Sequence, residues 1–239
     1  MRKGCLWLAA TLLLAGCAQQ EEEPKPAVKE EERTETEETE TEESVPEQTE
    51  PETVPEEAKP AAEYDGIIYT VDGIPIINKK HGLPADYAPG EDPTAVSSLR
   101  KLLGTMHAQG LSVSDSYSGY RSYEYQSQLY SNYVAANGQA SADTFSARPG
   151  YSEHQTGLAF DLLSPDGSLL TTSAEAQWLL DHAAEYGFIV RYQEGKEDIT
   201  GYMAEPWHLR YIGEKASDIA ASGLTLEEYL GVDGGGYIE

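Results

Sequence analysis

One stretch near the middle of the chain places its apolar residues on a single face of a helix. These residues fall at positions i, i+3, i+4 and i+7: Leu99, Leu102, Leu103 and Met106. Asp92-Pro93 supplies a cap and a first-turn proline before the stretch, and Gly110 supplies a stop after it. The pattern therefore predicts an amphipathic helix whose apolar face is buried in a core.

Three more helices are predicted downstream. One runs from about residue 122 to 138, one from about 173 to 187, and the last opens with a capping box at residues 225–228. The first of these turns four apolar or aromatic residues inward by its spacing: Leu129, Tyr130, Tyr133 and Val134. The tyrosine-rich stretch that contains them, residues 117–133, has two interpretations, a core-facing helix or the lining of a substrate groove.

Strands are predicted at residues 111–118, 158–163, 188–192 and 207–212. In the second strand Leu158, Phe160 and Leu162 share one face, and Ala159 and Asp161 share the other. Because helices and strands do not alternate in a βαβ rhythm, we expect a mixed α+β domain.

The N-terminus has the features of an export signal. Arg2 and Lys3 precede an apolar run over residues 6–14 that is too short to span a bilayer. The run ends in Leu14-Ala15-Gly16-Cys17, which resembles the lipobox of bacterial lipoproteins. We expect residues 1–17 to be a lipoprotein signal, with Cys17 lipidated and the protein extracytoplasmic and anchored to the bacterial cell membrane. The alternative is a simple cleaved secretory signal with an incidental cysteine.

Residues 18–63 differ in composition from the rest of the chain. They hold 18 glutamates against four lysines or arginines, with repeated Thr and Pro and no aromatic residue. Such a segment cannot bury enough apolar surface to offset the entropy lost on ordering. We predict a disordered acidic tether, a solvated spacer rather than a binding segment, with a reach of at most about 140 Å at roughly 3.1 Å per residue.

Residues 64–239 have the length of one ordinary domain. They carry 24 Asp or Glu and 10 Lys or Arg, and the whole chain has a formal net charge of −26. Binding to nucleic acid depends on a basic surface, so we expect no nucleic-acid partner. We expect this head to be a monomer.

Two short segments of the head contain the residues of a catalytic metal site. Residues 152–161 include His154 and Asp161, and residues 205–208 include Glu205 and His208. Structural zinc is usually closed by four protein ligands rich in Cys, whereas hydrolytic zinc keeps three and leaves one position to water. The residues therefore predict one Zn²⁺ held by His154, Asp161 and His208, with Glu205 as the base for the water.

The spacing of these residues requires bends in the chain. Residues seven apart on one regular strand face opposite sides, so Gly157 is expected to let the chain turn between His154 and Asp161. Pro206 excludes a helix interior and argues against central-strand pairing, so we expect a turn there to bring Glu205 over His208.

The chain resembles the zinc D,D- and L,D-carboxypeptidases of the VanY and LdcB kind, peptidase family M15 (M15B). The resemblance covers most of residues 74–215 and is carried by these segments: residues 78–80 with 83–84, residues 118–122 with Gln126 and 129–130, residues 148–161, and residues 205–211. It implies a Hedgehog/D,D-peptidase fold, a small antiparallel sheet flanked by helices. It also implies His154, Asp161 and His208 as zinc ligands, Glu205 as general base, and Arg121 as the cation that steadies a substrate carbonyl or carboxylate.

The function that follows is removal of the terminal D-alanine from peptidoglycan stem peptides, as a D-alanyl-D-alanine carboxypeptidase. Ser152 and Gln126 are candidates to bind the terminal carboxylate of the substrate, because a hydroxyl and an amide can both donate to it; Gln126 has the alternative role of bracing the loop at Tyr120. Two other functions remain: an L,D-carboxypeptidase acting on tetrapeptide stems, and a non-catalytic wall-binding module of the same fold. We expect His81, His107 and His182 to be structural or surface residues, and Trp207 and Tyr211 to pack in the core.

Overall fold

The computed structural model describes residues 60–238. The predicted signal, Cys17 and residues 18–59 of the predicted tether lie outside the described residues. Over residues 60–238, no helix combines the length and the apolar character needed to cross a membrane.

Within residues 60–238, seven short strands form two antiparallel sheets. The first sheet has the order β1-β2-β3, with strands Ala62–Tyr64, Tyr69–Val71 and Ile74–Pro75. The second has the order β4-β5-β7-β6, with strands Tyr117–Ser118, Ala159–Leu162, Glu205–Tyr211 and Phe188–Tyr192 for β4, β5, β7 and β6. Strand β1 begins two residues before the predicted start of the head.

Seven α-helices complete the described part of the chain and confirm the expected α+β class. Their bounds are Pro93–Ala108 (α1), Tyr123–Asn137 (α2), Gln139–Ala142 (α3), Ser173–His182 (α4), Glu197–Thr200 (α5), Ala216–Ser222 (α6) and Leu226–Leu230 (α7). Short 3-10 helices lie at Glu153–Thr156, Ala183–Tyr186 and Gly213–Lys215.

Side-chain caps fix the helix ends that the sequence predicts. The Asp92 carboxylate accepts from the Ala95 backbone N–H at 2.8 Å, and Ser122 Oγ accepts from Tyr125 at 3.2 Å. Thr225 and Glu228 form both halves of a capping box at the start of α7. Caps of this kind each stabilise a helix by about 1 kcal/mol.

The four-stranded sheet has a core face and a polar face. Phe160, Phe188 and Leu209 point into the main core, where they pack with α1 and α4. All four predicted apolar residues of α1 are buried there. Because neighbouring residues of a strand point to opposite sides, Asp161 and His208 lie on the other face of the same sheet.

Three expectations about the elements are wrong. The first predicted strand is reduced to the two residues of β4. In α2 the only buried residue is Gln126. The four residues predicted to face a core, at positions 129, 130, 133 and 134, are only half-buried. Strand β7 contains Pro206 although it lies between β5 and β6; its pairing with β6 shifts between Val190 and Tyr192, and Pro206 falls in that irregular stretch.

Candidate metal centre

The three predicted metal ligands meet on the polar face of the sheet. His154 lies in the 3-10 helix before β5, Asp161 in β5, and His208 in β7. Asp161 pairs directly with His208 across the two antiparallel strands, which places their side chains next to each other. One potential ligand atom from each of the three residues lies within 4.8 Å of the other two, and all three side chains are buried.

Gly157 makes the turn that returns the chain from His154 to β5. Its φ is +73°, in the left-handed region that favours glycine. A Cβ at this position would collide with the backbone carbonyl of Gly90. The bend expected between the two ligands is therefore present, and glycine is required for it on two separate grounds.

The His154 ring is oriented by the backbone of the Gly119 loop. Its Nδ1 lies 2.8 Å from the Gly119 carbonyl oxygen, which can only accept. Nδ1 therefore carries the proton, and the lone pair of Nε2 faces Asp161, whose Oδ2 is 3.2 Å away. This is the arrangement expected of a metal-binding histidine, in which a carbonyl fixes the tautomer.

His208 presents its other nitrogen to the same point. Its Nδ1 lies 3.2 Å from Asp161 Oδ1 and 3.5 Å from Glu205 Oε2. Burial opposes a charge on this ring, but contacts with the Asp161 and Glu153 carboxylates outweigh it and raise the pKa of His208 to about 9. The surroundings of Nδ1 therefore favour a positive charge, which a metal ion would also supply.

The Asp161 carboxylate fits a cation. Burial alone would raise its pKa, but His154 and His208 hold the pKa of Asp161 well below its usual range. Its buried Oδ1 accepts no well-formed hydrogen bond from any described residue. The group offers two imidazole nitrogens and one carboxylate, and over residues 60–238 no fourth acidic, His or Cys side chain joins it. This matches the open ligand set of a catalytic zinc.

Glu205 lies beside this group at the first position of β7. It is buried, and burial raises its pKa to about 7. A carboxylate with such a pKa can accept and return a proton near neutral pH. The residue predicted to be the base therefore lies next to the predicted ligands, in a different protonation regime from Asp161.

Arg121 follows β4 and reaches the same group. Its Nη2 contacts Asp161 Oδ2 and lies 3.0 Å from His154 Nε2. The guanidinium also makes two longer contacts away from the metal group: Nε donates to Ser118 Oγ at 3.4 Å, and Nη1 donates to Gln126 Oε1 at 3.5 Å. The structure thus places a fixed positive charge at the edge of the metal group.

The two predicted carboxylate-binding residues lie in different places. Ser152 is buried and lines the cleft beside the metal group. Gln126 donates to the Ala147 carbonyl at 2.7 Å and to Ser146 Oγ at 3.4 Å, so it braces residues 146–147. Its oxygen reaches Arg121.

A cleft of about 510 Å³ opens over the metal group. Its polar floor contains the predicted ligands, Arg121 and Glu205. Its apolar wall includes Leu129, Tyr133, Phe145, Met203 and Trp207. The groove interpretation of the tyrosine-rich stretch therefore holds for Tyr125 and Tyr133. Trp207 both lines the cleft and packs against the main core.

Sequence analysis missed the buried charges beneath the site. Glu153, Arg191 and Arg210 are almost fully buried, and both arginines donate to Glu153. Two signals were available: Glu153 precedes a ligand directly, and Arg210 is two residues from His208 and so shares its strand face. The three other histidines lie elsewhere: His81 stacks on Tyr69, while His107 and His182 lie beside Asp115 and Glu185.

Comparison with known proteins gives a family match. The sequence profile described as "VanY: D-alanyl-D-alanine carboxypeptidase" matches residues 90–214. A D-alanyl-D-alanine carboxypeptidase of Enterococcus faecalis is 36% identical over 177 residues, which cover 66% of this chain and 65% of the relative. The chain thus spans just under two thirds of the length of that relative.

Two solved structures extend the similarity to the backbone. The LdcB LD-carboxypeptidase is 55% identical with a TM-score of 0.73, covering 76% of this chain and 100% of that chain. A vancomycin resistance D,D-pentapeptidase VanY, solved in complex with Zn(II), is 36% identical with a TM-score of 0.56, covering 65% and 97%.

Proposed function

The chain belongs to the VanY family of D-alanyl-D-alanine carboxypeptidases, and on that premise we propose that it is a zinc-dependent carboxypeptidase that removes the terminal D-alanine from peptidoglycan stem peptides. The observation that carries the proposal is the buried group of His154, Asp161 and His208 with Glu205 beside it, at the floor of a cleft. The Zn(II) complex of the related pentapeptidase supports the choice of metal.

Zinc would be held by Nε2 of His154, the carboxylate of Asp161 and Nδ1 of His208. When bound, it supplies a Lewis acid that lowers the pKa of a water and polarises the scissile carbonyl. Glu205 takes a proton from the attacking water and gives it to the amide nitrogen as the carbon–nitrogen bond breaks, so that the product leaves as a neutral amine. Its pKa of about 7 suits both transfers.

Arg121 and Ser152 position the substrate. The guanidinium of Arg121 lies at the edge of the metal group and stabilises negative charge on the substrate carbonyl or carboxylate oxygen. The Ser152 hydroxyl, buried in the cleft wall, donates to the terminal carboxylate of the peptide. A cleft of about 510 Å³ has the size of a small-ligand site, which suits the end of a short peptide.

The sequence similarities favour the tetrapeptide as substrate. Identity to the LdcB LD-carboxypeptidase is 55% over that entire chain, against 36% for the D,D-pentapeptidase. We therefore favour cleavage between the L-centre and the terminal D-alanine of a tetrapeptide stem, with D,D cleavage of a pentapeptide as the second candidate.

A product analysis separates the candidates. The full-length protein is incubated with zinc and either tetrapeptide or pentapeptide stems, and the products are weighed by mass spectrometry. L,D activity converts only the tetrapeptide, to a tripeptide, and D,D activity converts only the pentapeptide, to a tetrapeptide. Failure to convert either stem would contradict the enzymatic proposal and favour the wall-binding module.

The proposal includes a location. Lipidation at Cys17, followed by the acidic segment of residues 18–63, would hold the head outside the bacterial cell membrane and near its peptidoglycan substrate. The lipobox sequence and the composition of the segment support this arrangement.

A further inference from the structure

A buried carboxylate outside the metal group contacts the side of the His208 ring that faces away from Asp161. Glu153 Oε2 lies 3.3 Å from His208 Nε2, the ring nitrogen that does not face Asp161. The Glu153 and His208 residues are 2% and 5% exposed, so water does not compete for this contact. An ionised carboxylate can only accept, so Nε2 must carry a proton, and Nδ1 is the nitrogen left for a metal.

Two arginines keep Glu153 ionised and fixed. Arg191 Nε donates to Glu153 Oε1 at 2.8 Å, and Arg210 Nη1 donates to the same oxygen at 2.9 Å. Two guanidinium charges in direct contact with one buried carboxylate favour its ionised form. Because Oε1 is taken by the arginines, Oε2 is the oxygen that faces His208.

The arginine support extends to the C-terminal helix. Arg191 donates from Nη1 and Nη2 to both oxygens of Glu227 in α7, at 2.8 and 2.6 Å. Asn78 also donates to Glu227, at 3.2 Å. Four buried charged side chains therefore connect α7 to the ring nitrogen of His208 that faces away from Asp161. They are Glu227, Arg191, Arg210 and Glu153. Burying such charges is costly, and well-packed apolar residues often give equal or greater stability, which points to a role at the site.

We propose that Glu153 is a positioning residue for the metal centre: it fixes the tautomer and ring orientation of His208, and the Arg191–Glu227 pair makes α7 part of that support. The inference rests on the proposed metal-dependent function. It also explains why Glu153 and His154 are adjacent, since one short helix then carries a ligand and the support of a second ligand.

The sharpest variant is Glu153→Gln, which keeps the shape of the side chain. A glutamine has one oxygen and one NH₂ group. The two arginines can only donate, so they will hold the oxygen and turn the NH₂ towards His208. His208 Nε2 must then accept, which moves the ring proton to Nδ1 and removes the ligand lone pair.

We expect Glu153→Gln to weaken zinc binding by roughly 10- to 100-fold, the loss typical of a changed outer-shell partner. The dissociation constant is measured on the full-length protein by competition with a chromophoric chelator. In the metal-free full-length variant, ¹⁵N-histidine spectra, in which five imidazoles are to be resolved, should lose the protected Nε2–H signal of His208, because the ring proton then lies on Nδ1. A purely structural role of Glu153 would lower stability without moving this signal.

The matched control is Glu175→Gln. Glu175 is also a buried carboxylate, 6% exposed, but it accepts from the Ser112 backbone N–H, away from the cleft. The zinc affinity and the imidazole spectrum of the Glu175→Gln protein should equal those of the wild type. If Glu153→Gln fails to fold, Arg191→Lys provides a second test, because it keeps the charge but loses the planar fork that orients Glu153; it too should weaken zinc binding.

The outcomes are distinguishable. The positioning role would be overturned if Glu153→Gln kept the zinc affinity and the Nε2–H signal of the wild type. If only Arg191→Lys folds, the same result in that variant would overturn it. In either case the proposed function would remain intact. If the wild-type protein itself bound no zinc, the proposed function would fail, and this inference with it.

Discussion

Two buried carboxylates beside His208 have opposite tendencies to ionise. Contacts with His154 and His208 hold the pKa of Asp161 well below its usual range. For Glu205 the nearby positive charges of His208 and Arg121 do not offset the effect of burial, and burial raises its pKa to about 7. Separated pKa values of this kind divide roles between paired acids. Asp161 is suited to remain a ligand, and Glu205 to move protons.

The first prediction separates proton transfer from metal binding. Glu205→Gln should keep zinc and the fold, because Glu205 is not one of the three proposed ligands, but should lower turnover by roughly 100- to 10,000-fold, the usual contribution of a general acid–base group. Metal content and hydrolysis of the stem peptide are measured in parallel.

Two controls bracket this result. His154→Ala should lose zinc as well as activity, whereas Glu175→Gln, a buried carboxylate away from the cleft, should lose neither. Near wild-type turnover in Glu205→Gln, or zinc loss as complete as in His154→Ala, would contradict the role of Glu205.

The sequence identifies the site residues unevenly. His154, Asp161, Glu205 and His208 lie in two short segments whose residue types already indicate zinc chemistry, and the structure brings all four together. Glu153 and Arg210 lie close in sequence to the predicted ligands, but the contact between Glu153 and Arg191, which are 38 residues apart, has no sequence signal. Only the folded sheet shows that they meet.

Short elements with local signals are predicted best. Helix α1 follows from a helical period and a cap within one stretch of chain, and both are present. Helix α2 has a similar period, but Leu129 and Tyr133 line a cleft and none of its predicted inward residues is fully buried. Periodicity alone does not separate a core face from the wall of a cleft. Strands β1 to β3 have two or three residues each, too few for an alternating pattern.

Strand β7 shows why a rule based on proline failed. Proline removes a ladder hydrogen bond and is excluded from regular central strands. Here the pairing partners jump from Leu209 opposite Val190 to Glu205 opposite Tyr192. Pro206 lies in the irregular stretch, so the strand continues past it and still brings Glu205 to His208.

The second prediction concerns the turn at Gly157. Gly157→Ala should destabilise the fold and impair zinc binding, because it adds both left-handed strain and a collision with the Gly90 carbonyl. The matched control is Gly167→Ala, where φ is +85° but no atom lies within 4 Å of the added Cβ.

Gly167→Ala should cost only the backbone strain, about 1–2 kcal/mol. Urea denaturation of both variants measures the difference. Equal losses of unfolding free energy in the two variants would show that the contact with Gly90 has no role.

The buried charges couple the stability of the whole head to pH. Burial alone would raise the pKa of Glu227, but Arg191 holds it below its usual value of 4.5. A carboxylate with a lowered folded-state pKa contributes stability that is present above its unfolded pKa and is lost as pH falls through the folded value.

The third prediction follows from that sign. Below about pH 4.5, the unfolding free energy of the wild type should fall more steeply than that of Glu227→Gln, which cannot titrate at this position. Chemical denaturation from pH 7 to pH 3 gives both curves. Parallel acid limbs would show that Glu227 adds nothing to the pH dependence.

The fourth prediction concerns how the whole molecule is held at its place of action. Lipidation of the Cys17 sulfur is the proposed anchor, and acyl chains contribute about 0.8 kcal/mol per buried methylene, so two or more chains give stable attachment. Cys17→Ser should therefore release the protein from membranes, as measured by fractionation and immunoblotting of cells that express the full-length chain. Cys5→Ser is the matched control, because Cys5 lies within the proposed signal and would be removed with it, and this variant should remain in the membrane fraction. If Cys17→Ser were processed and still sedimented with membranes, another part of the chain would have to hold it there.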